Sequence, residues 1–363
     1  MMTMPGEPTN RLVFAYPGEI ETPSGGYEYD RRIIAGLTAL GWSVEPLSLG
    51  PGFPFADTAR QDVAYALLDG VPDAVPVVID GLALGALPKA AEALGPHRPL
   101  VGLVHHPLAL ESGLSPEAAD AFRMSERAAL AGARGVIVPS PATADALAKD
   151  YAVSPGRIAV VEPGTDRAPQ KIRHRAPDAP IRLLAVGSLV PRKGHAMLLS
   201  ALSGLSDLPW HLDIAGSPDF DPACAQNVEA MAQNPPLAGR VTLHGAVGRE
   251  KLNALYDAAD LFVLASHYEG YGMVFAEAIA HGLPILATGN GAVSRTVPKS
   301  SGMVFSPEDE AGFSQTLRRL VAQAPLRESL AAGARIAAED LPGWPDAARR
   351  FAAALTTFKG NAP

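Results

Sequence analysis

Two acids bracket seven residues in Glu269-Gly-Tyr-Gly-Met-Val-Phe-Ala-Glu277. Ahead of them, Leu261-Phe-Val-Leu-Ala-Ser266 reads as a buried strand. Behind them, Met273 to His281 reads as a short helix closed by Gly282 and then Pro284. This pattern predicts Glu269 in a strand-to-helix turn and Glu277 about two turns into the helix. The free N–H groups of such a turn, and the positive end of the helix after it, favour a phosphate or diphosphate. One carboxylate at the mouth and one deeper suit a ligand that carries hydroxyl groups as well as phosphate. A surface Glu and a helix Glu can fall at this spacing by chance; the strand, glycine turn and closed helix around the pair favour a site.

Three further stretches could do chemistry. Val186-Gly-Ser-Leu-Val-Pro-Arg-Lys-Gly-His195 follows an apolar strand and precedes the apolar helix Ala196–Leu202. Arg192 and Lys193 then lie near that helix's start, where cations beside free N–H groups suit a diphosphate and Arg can bind it with two hydrogen bonds. A solvated basic loop is the plainer alternative. Tyr16-Pro-Gly-Glu-Ile-Glu-Thr-Pro-Ser-Gly-Gly-Tyr27 follows the first strand and precedes a helix bearing Arg31 and Arg32. Its Gly25 and Gly26 permit close backbone approach, although a plain turn would use them too. No G-x-G-x-x-G fingerprint follows a strand here. Finally, His105 and His106 end the strand Leu100–Val104, the end at which open α/β sheets bind ligands. Neighbouring residues point to opposite faces, so one of the two is the candidate. The pattern alone leaves open which; His106 is carried as the working choice.

The elements that must position these residues alternate along the chain. Leu12–Tyr16, Val75–Ile79, Leu100–Val104, Val136–Val138 and Ile158–Val161 look like strands, with helical stretches Tyr29–Leu40, Glu117–Ala131 and Ala142–Asp150 among them. Ser140 suits the N-cap of the last of these helices and Pro141 its first position. A polar, proline-rich stretch, residues 166–180, reads as a linker. A second series follows: Ile181–Val186, His211–Ala215, Val241–Leu243, Leu261–Leu264, Pro284–Ala287 and Gly302–Phe305. Such alternation implies βαβ units and parallel sheets. The expectation is two α/β domains with a cleft between them, residues 1–165 and 181–343. The helix 344–363 ends the chain.

These motifs together resemble the retaining glycosyltransferases of family 4, over nearly the whole chain and most closely between Ala185 and Gly302. The resemblance implies a GT-B fold, two Rossmann-like domains facing across a cleft, with the last helix packing back on the first domain. It implies transfer of a hexose from a nucleotide-diphosphate sugar to an acceptor hydroxyl on a glycan, glycolipid or small molecule. The donor sits mainly in the second domain and the acceptor in the first. By the same resemblance Glu269 orients the sugar, Glu277 holds the ribose, and Arg192 and Lys193 stabilise the diphosphate. Gly270, Tyr271, Gly272, Met273 and Val274 form the donor-binding turn, and Gly25 and Gly26 the first-domain loop. A histidine after the Leu100–Val104 strand is common in such proteins. The chain carries Ser188 where many members have Arg, and Arg192 is the candidate for the displaced charge. Another enzyme on the same fold, an epimerase or phosphorylase, and a catalytically silent nucleotide-sugar binder are the alternatives.

Composition narrows the classes. A net charge of -8 argues against a nucleic-acid partner. The single cysteine, Cys224, rules out an intramolecular disulfide and fits a reducing compartment. No apolar run approaches the ~20 residues that span a bilayer, and the polar start of the chain is unlike a signal peptide. A cytoplasmic protein is expected, with peripheral contact at the inner membrane face left open. The histidines are scattered, and the single Asp-x-Asp, Asp219-Phe-Asp221, lies outside the candidate loops. No metal and no cofactor beyond the donor substrate are therefore expected, with cations and helix dipoles neutralising the leaving group.

Overall fold

The computed structural model describes residues 10–111, 113–169 and 179–360. The chain divides into two compact units, Met1–Gly164 with Pro342–Pro363, and Thr165–Leu341. The second unit thus ends at Leu341, and Gly343 lies with the first. In the stretch read as a linker, residues 166–169 form no helix or strand. There the Arg167 guanidinium donates to the carbonyls of Ala338, Glu339 and Leu341. Residues 170–178 of that stretch lie outside the described residues.

The first unit holds six parallel strands: β1 (Arg11–Tyr16), β2 (Ser43–Ser48), β3 (Val77–Asp80), β4 (Leu100–Leu103), β5 (Gly135–Val138) and β6 (Ile158–Val160). Their order is β2-β1-β3-β4-β5-β6. β3, β4 and β5 are buried at every residue, as a parallel sheet covered on both faces requires. β2 escapes an apolar-run search because only Val44 and Leu47 of its six residues are even half-buried and it includes Pro46. It is an edge strand, the one place in a sheet where proline costs little. The first helix, Gly25–Ala39, starts earlier than its apolar period suggests, because Ser24 caps it by accepting a bond from the Tyr27 amide.

The terminal helix Trp344–Gly360 completes this unit. A Cβ at Gly36 would lie 2.5 Å from Ala348 Cβ, and one at Gly135 would lie 2.3 Å from the ring of Phe358. Phe351 stacks on Phe14 at 6.5 Å. Side chains near the chain's end therefore fill the core beneath β1 and β5. Phe358 is 2% exposed, so Phe358→Ala should cost about 3–5 kcal/mol, read as a lower denaturant midpoint at unchanged m-value.

The second unit is a second six-stranded parallel sheet: β7 (Ile181–Val186), β8 (Trp210–Ala215), β9 (Val241–Leu243), β10 (Leu261–Glu269), β11 (Ile285–Gly291) and β12 (Gly302–Phe305). The order is β12-β11-β10-β7-β8-β9. β10 corrects the sequence reading. It does not end near Ser266 but runs on through an irregularity between Ala265 and Tyr268, and Glu269 pairs with Gly291. Glu269 is thus the last residue of a strand, and the turn proper is Gly270–Gly272. The helix after it is Met273–Ala280. Glu277 is its fifth residue, one turn in rather than two. No described helix is long and apolar enough to cross a membrane.

Candidate active site

Open parallel sheets bind ligands past the carboxyl ends of strands where the strand order reverses. In the second unit that point lies between β7 and β10. They pair only through Leu261↔Leu183 and Phe262↔Leu184, and their chains diverge beyond. The loop after β7 carries Arg192 and Lys193, and β10 delivers Glu269. These are three of the residues singled out above, and the fold brings them into contact.

Lys193 Nζ lies 2.7 Å from Glu269 Oε1, and Arg192 Nη1 lies 3.4 Å from Oε2 and 2.9 Å from the carbonyl of Tyr268. Ser266 Oγ donates to Glu269 Oε1 at 2.7 Å. The carboxylate is only 5% exposed. Burial pushes its pKa up, but the charges of Lys193 and Arg192 and the bonds from Lys193 and Ser266 more than reverse this, holding it at about 2. Glu269 is an anion at any physiological pH, with two cations gathered around it.

The backbone makes this convergence possible. Pro191–Lys193 is a single tight turn, closed by Gly194 in the left-handed region at φ 63°. A Cβ there would stand 1.8 Å from the Ala265 carbonyl, so only glycine lets the loop pass β10 this closely. His195 follows at the start of the helix His195–Ser203. Burial pushes its pKa down to about 4. The neutral ring can donate from Nε2 to the Gly187 carbonyl at 3.1 Å, which ties the two ends of the loop together.

Gly272, at φ 85°, caps the helix Met273–Ala280 and makes no side-chain cap bond to the helix's first amides. That leaves Met273 and Val274 at a positive, donor-rich helix end. Glu277 Oε1 accepts from Arg249 Nη1 at 2.6 Å, and Oε2 from Tyr256 Oη at 2.9 Å. Each carboxylate oxygen keeps a lone pair, so Glu277 is fixed in place yet can still accept from a ligand hydroxyl. Ser266, Tyr256 and Arg249 were not legible as site residues: their pairings join positions far apart in the chain or hidden in a strand.

In the first unit the order reverses between β1 and β3. There Gly25 and Gly26 open the first helix, and neither has positive φ. Gly26 is needed for space instead: a Cβ would lie 3.2 Å from the His105 ring. His105 Nε2 lies 3.0 Å from Asp30 Oδ1 and 3.3 Å from Asp80 Oδ2. His106, the working choice, lies elsewhere; its Nε2 sits 3.1 Å from Glu111 Oε2. The geometry therefore puts His105, not His106, against the glycine loop. Although the histidines are dispersed in sequence, Asp30, Asp80 and His105 form the kind of set, with ligand atoms within 4.8 Å of one another, that can hold an ion or share protons.

Comparison with known proteins gives this architecture its family. The family model described as "Glycosyl transferases group 1" matches residues 166–336, and "Glycosyltransferase Family 4" matches residues 28–168. The chain belongs to the glycosyltransferases of this group 1 and family 4 type. It is 30% identical over 241 residues to a D-inositol 3-phosphate glycosyltransferase of Xylanimonas cellulosilytica, covering 62% of this chain and 57% of that protein. It is 29% identical over 200 residues to a mannosylfructose-phosphate synthase of Agrobacterium fabrum, covering 51% of this chain and 44% of that one. The matched part is thus about half the length of these relatives. Among solved structures, a sucrose-phosphate synthase from Thermosynechococcus elongatus superposes with a TM-score of 0.79 at 20% identity, over 95% of this chain and 98% of that one. Anabaena HepE in complex with UDP and glucose gives 0.75 at 17% identity, over 95% and 99%. The fold of this glycosyltransferase-family chain is GT-B, two Rossmann-like α/β domains.

The buried ion cluster makes a stability prediction. Lys193→Ala strips Glu269 of its shortest partner and should cost about 3 kcal/mol at pH 7. A carboxyl held below its ordinary value stabilises fully above that value, 4.5, and loses the contribution as pH falls toward about 2. The deficit of Lys193→Ala relative to wild type should therefore shrink between pH 5 and pH 3 in urea unfolding; an equal deficit at both would contradict the pairing.

Proposed function

We propose that this chain transfers a hexose from a nucleotide-diphosphate sugar to an acceptor hydroxyl, with retention at the anomeric carbon and without a metal ion. The observation that carries the reading is the convergence of Lys193 and Arg192 on Glu269 beside an open helix N-terminus, at the switch point of the second sheet. Two cations and a set of amides suit a diphosphate; a charged carboxylate and Glu277 suit sugar and ribose hydroxyls. The complex of HepE with UDP and glucose lends support to UDP-hexoses as the first donors to test.

In the proposed reaction, Lys193, Arg192 and the amides of Gly272, Met273 and Val274 stabilise charge growing on the departing diphosphate. Gly270 and Tyr271 shape the turn. The bond between the anomeric carbon and the phosphate oxygen breaks while the acceptor oxygen bonds on the same face, and the acceptor's proton passes to that phosphate oxygen. Glu269 orients the sugar, Glu277 grips the ribose, and the Gly25–Gly26 loop with His105 serves the acceptor side. Protein groups thereby supply position and electrostatics rather than a covalent intermediate.

A panel of nucleotide-sugars in a thermal-shift assay, followed by NMR of any glycoside formed, tests this. A nucleotide-sugar at 100 times its Kd should add about 2.7 kcal/mol of stability. Transfer should yield the donor's anomeric configuration and survive excess EDTA. An inverted product, or activity lost to chelator and restored by Mn²⁺, would overturn retention or metal independence respectively. Stabilisation by no nucleotide-sugar at all would overturn the donor assignment.

A further inference from the structure

His105 sits between two buried carboxylates that the donor chemistry does not use. Asp30, on the second turn of the helix Gly25–Ala39, is fully buried, and Asp80, the last residue of β3, is 2% exposed. Both address one atom, His105 Nε2, at 3.0 and 3.3 Å. Asp80 is itself held, since its Oδ1 accepts from the Leu82 amide at 2.7 Å. Asp30 Oδ2 is buried with no hydrogen-bond partner among the described residues, where His105 is the group that bonds this carboxyl. Tyr29 packs edge-on to the imidazole at 5.3 Å, and Gly26 leaves just enough room on another side. The ring keeps 18% exposure, and its Nδ1 makes no hydrogen bond among the described residues.

We propose that Asp30 and Asp80 are positioning residues: they take the Nε2–H of His105 between them, hold the ring doubly protonated, and leave Nδ1–H as a fixed donor to a ligand oxygen at the Gly25–Gly26 loop. The assignment rests on the reading of that loop as the acceptor side of a glycosyl-transfer site, and it adds two residues and a protonation state to it. The physical reason is charge balance. Two buried carboxylates beside a neutral imidazole would be two uncompensated charges; the imidazolium removes one of them and gives both carboxylates a charged donor.

The surrounding charges agree. Burial would lower the pKa of His105, but the charges of Asp30 and Asp80 and the bonds to them outweigh it and raise it to about 10. Burial lifts Asp30 to about 6, against the opposing pull of His105 and Arg31 and with Asp80 adding to the rise. The other titratable groups acting on this set are the phenol of Tyr29, which packs on the ring, and that of Tyr27, which feels Asp80 and Asp30. Both are pushed up by burial first, Tyr29 then by Asp30, and Tyr27 by Asp80, Asp30 and Tyr16. They stay neutral, and among the described residues no lysine or arginine side chain bonds Asp30 or Asp80. Arg31 is turned to Glu28 and to the Ile20 and Thr22 carbonyls.

Two-bond ¹H–¹⁵N spectra of the whole protein labelled at histidine, with His105 assigned through His105→Gln, test this without any substrate. Both nitrogens of His105 should keep imidazolium shifts from pH 6 to pH 9. In Asp80→Asn, which can still cap Leu82, the ring should titrate at least about one unit lower, a tenfold change in proton affinity. Asp30→Asn should act in the same direction if it folds. With a donor and acceptor in hand, Asp80→Asn should lose activity at pH 9 and regain part of it at pH 6, whereas His105→Gln should show no such recovery. Titration of wild-type His105 near 6.5 would overturn the proposal, as would unchanged His105 shifts in Asp80→Asn. Stoichiometric bound metal in the purified protein, by elemental analysis, would also overturn it. Because the spectra need no nucleotide-sugar, failure of the donor assignment would leave them readable.

Discussion

A carboxylate cannot be buried alone, and much of the second unit is arranged around that constraint. Glu269 stands at the end of β10 with little access to water, where an unpaired charge would be expensive. Its partners come from the loop after β7, 76 positions away in sequence. For that loop to reach, Gly194 must pass the Ala265 carbonyl at a distance no side chain permits, and His195 must tie the loop's start to its end. The ion cluster, the tight turn and the divergence of β7 from β10 are three aspects of one solution. The same solution leaves two cations near the start of the helix Met273–Ala280, where, on the function proposed, an incoming diphosphate would exchange partners with Glu269.

The first unit meets the same constraint with a different currency. Asp30 and Asp80 are buried, and among the described residues no lysine or arginine side chain bonds either of them; a histidine does. A histidine's charge depends on what surrounds it, so that cluster couples to pH in a way the Glu269 cluster does not. Both clusters lie where strand order reverses, one in each sheet. That placement follows from topology: at a reversal the helices on either side leave in opposite directions, and the strand ends between them stay uncovered.

What was legible in the sequence follows from what is local. The apolar runs of β3, β4, β5, β7 and β8 announce a parallel sheet because both faces are covered. The Glu269–Glu277 segment and the Arg192-Lys193 loop are each contiguous, so spacing alone marks them as candidates. Pairings across the fold leave no such trace. Nothing in the sequence says that Ser266 bonds Glu269, that Tyr256 and Arg249 hold Glu277, or that Asp30 and Asp80 meet at His105. The choice between His105 and His106 stayed open for that reason: two adjacent histidines are equivalent until the position of Asp30 on a neighbouring helix is known. β2 was missed because an edge strand needs no apolar run, and the length of β10 because its apolar run stops at Ala265 and the polar residues Ser266–Glu269 carry the strand on.

The central claim is that Glu269 holds Lys193 and Arg192 in reserve for a diphosphate. Calorimetric titration of UDP into wild type, Lys193→Ala and Glu269→Gln tests it most directly. Neutralising Glu269 removes a competitor for the two cations, so Glu269→Gln should bind UDP at least as tightly as wild type. Lys193→Ala should lose roughly 1.5–3 kcal/mol, the range for a hydrogen bond to a charged group. If Glu269→Gln weakens UDP binding as much as Lys193→Ala does, or if neither variant alters it, the cations are not held for a diphosphate and the account fails.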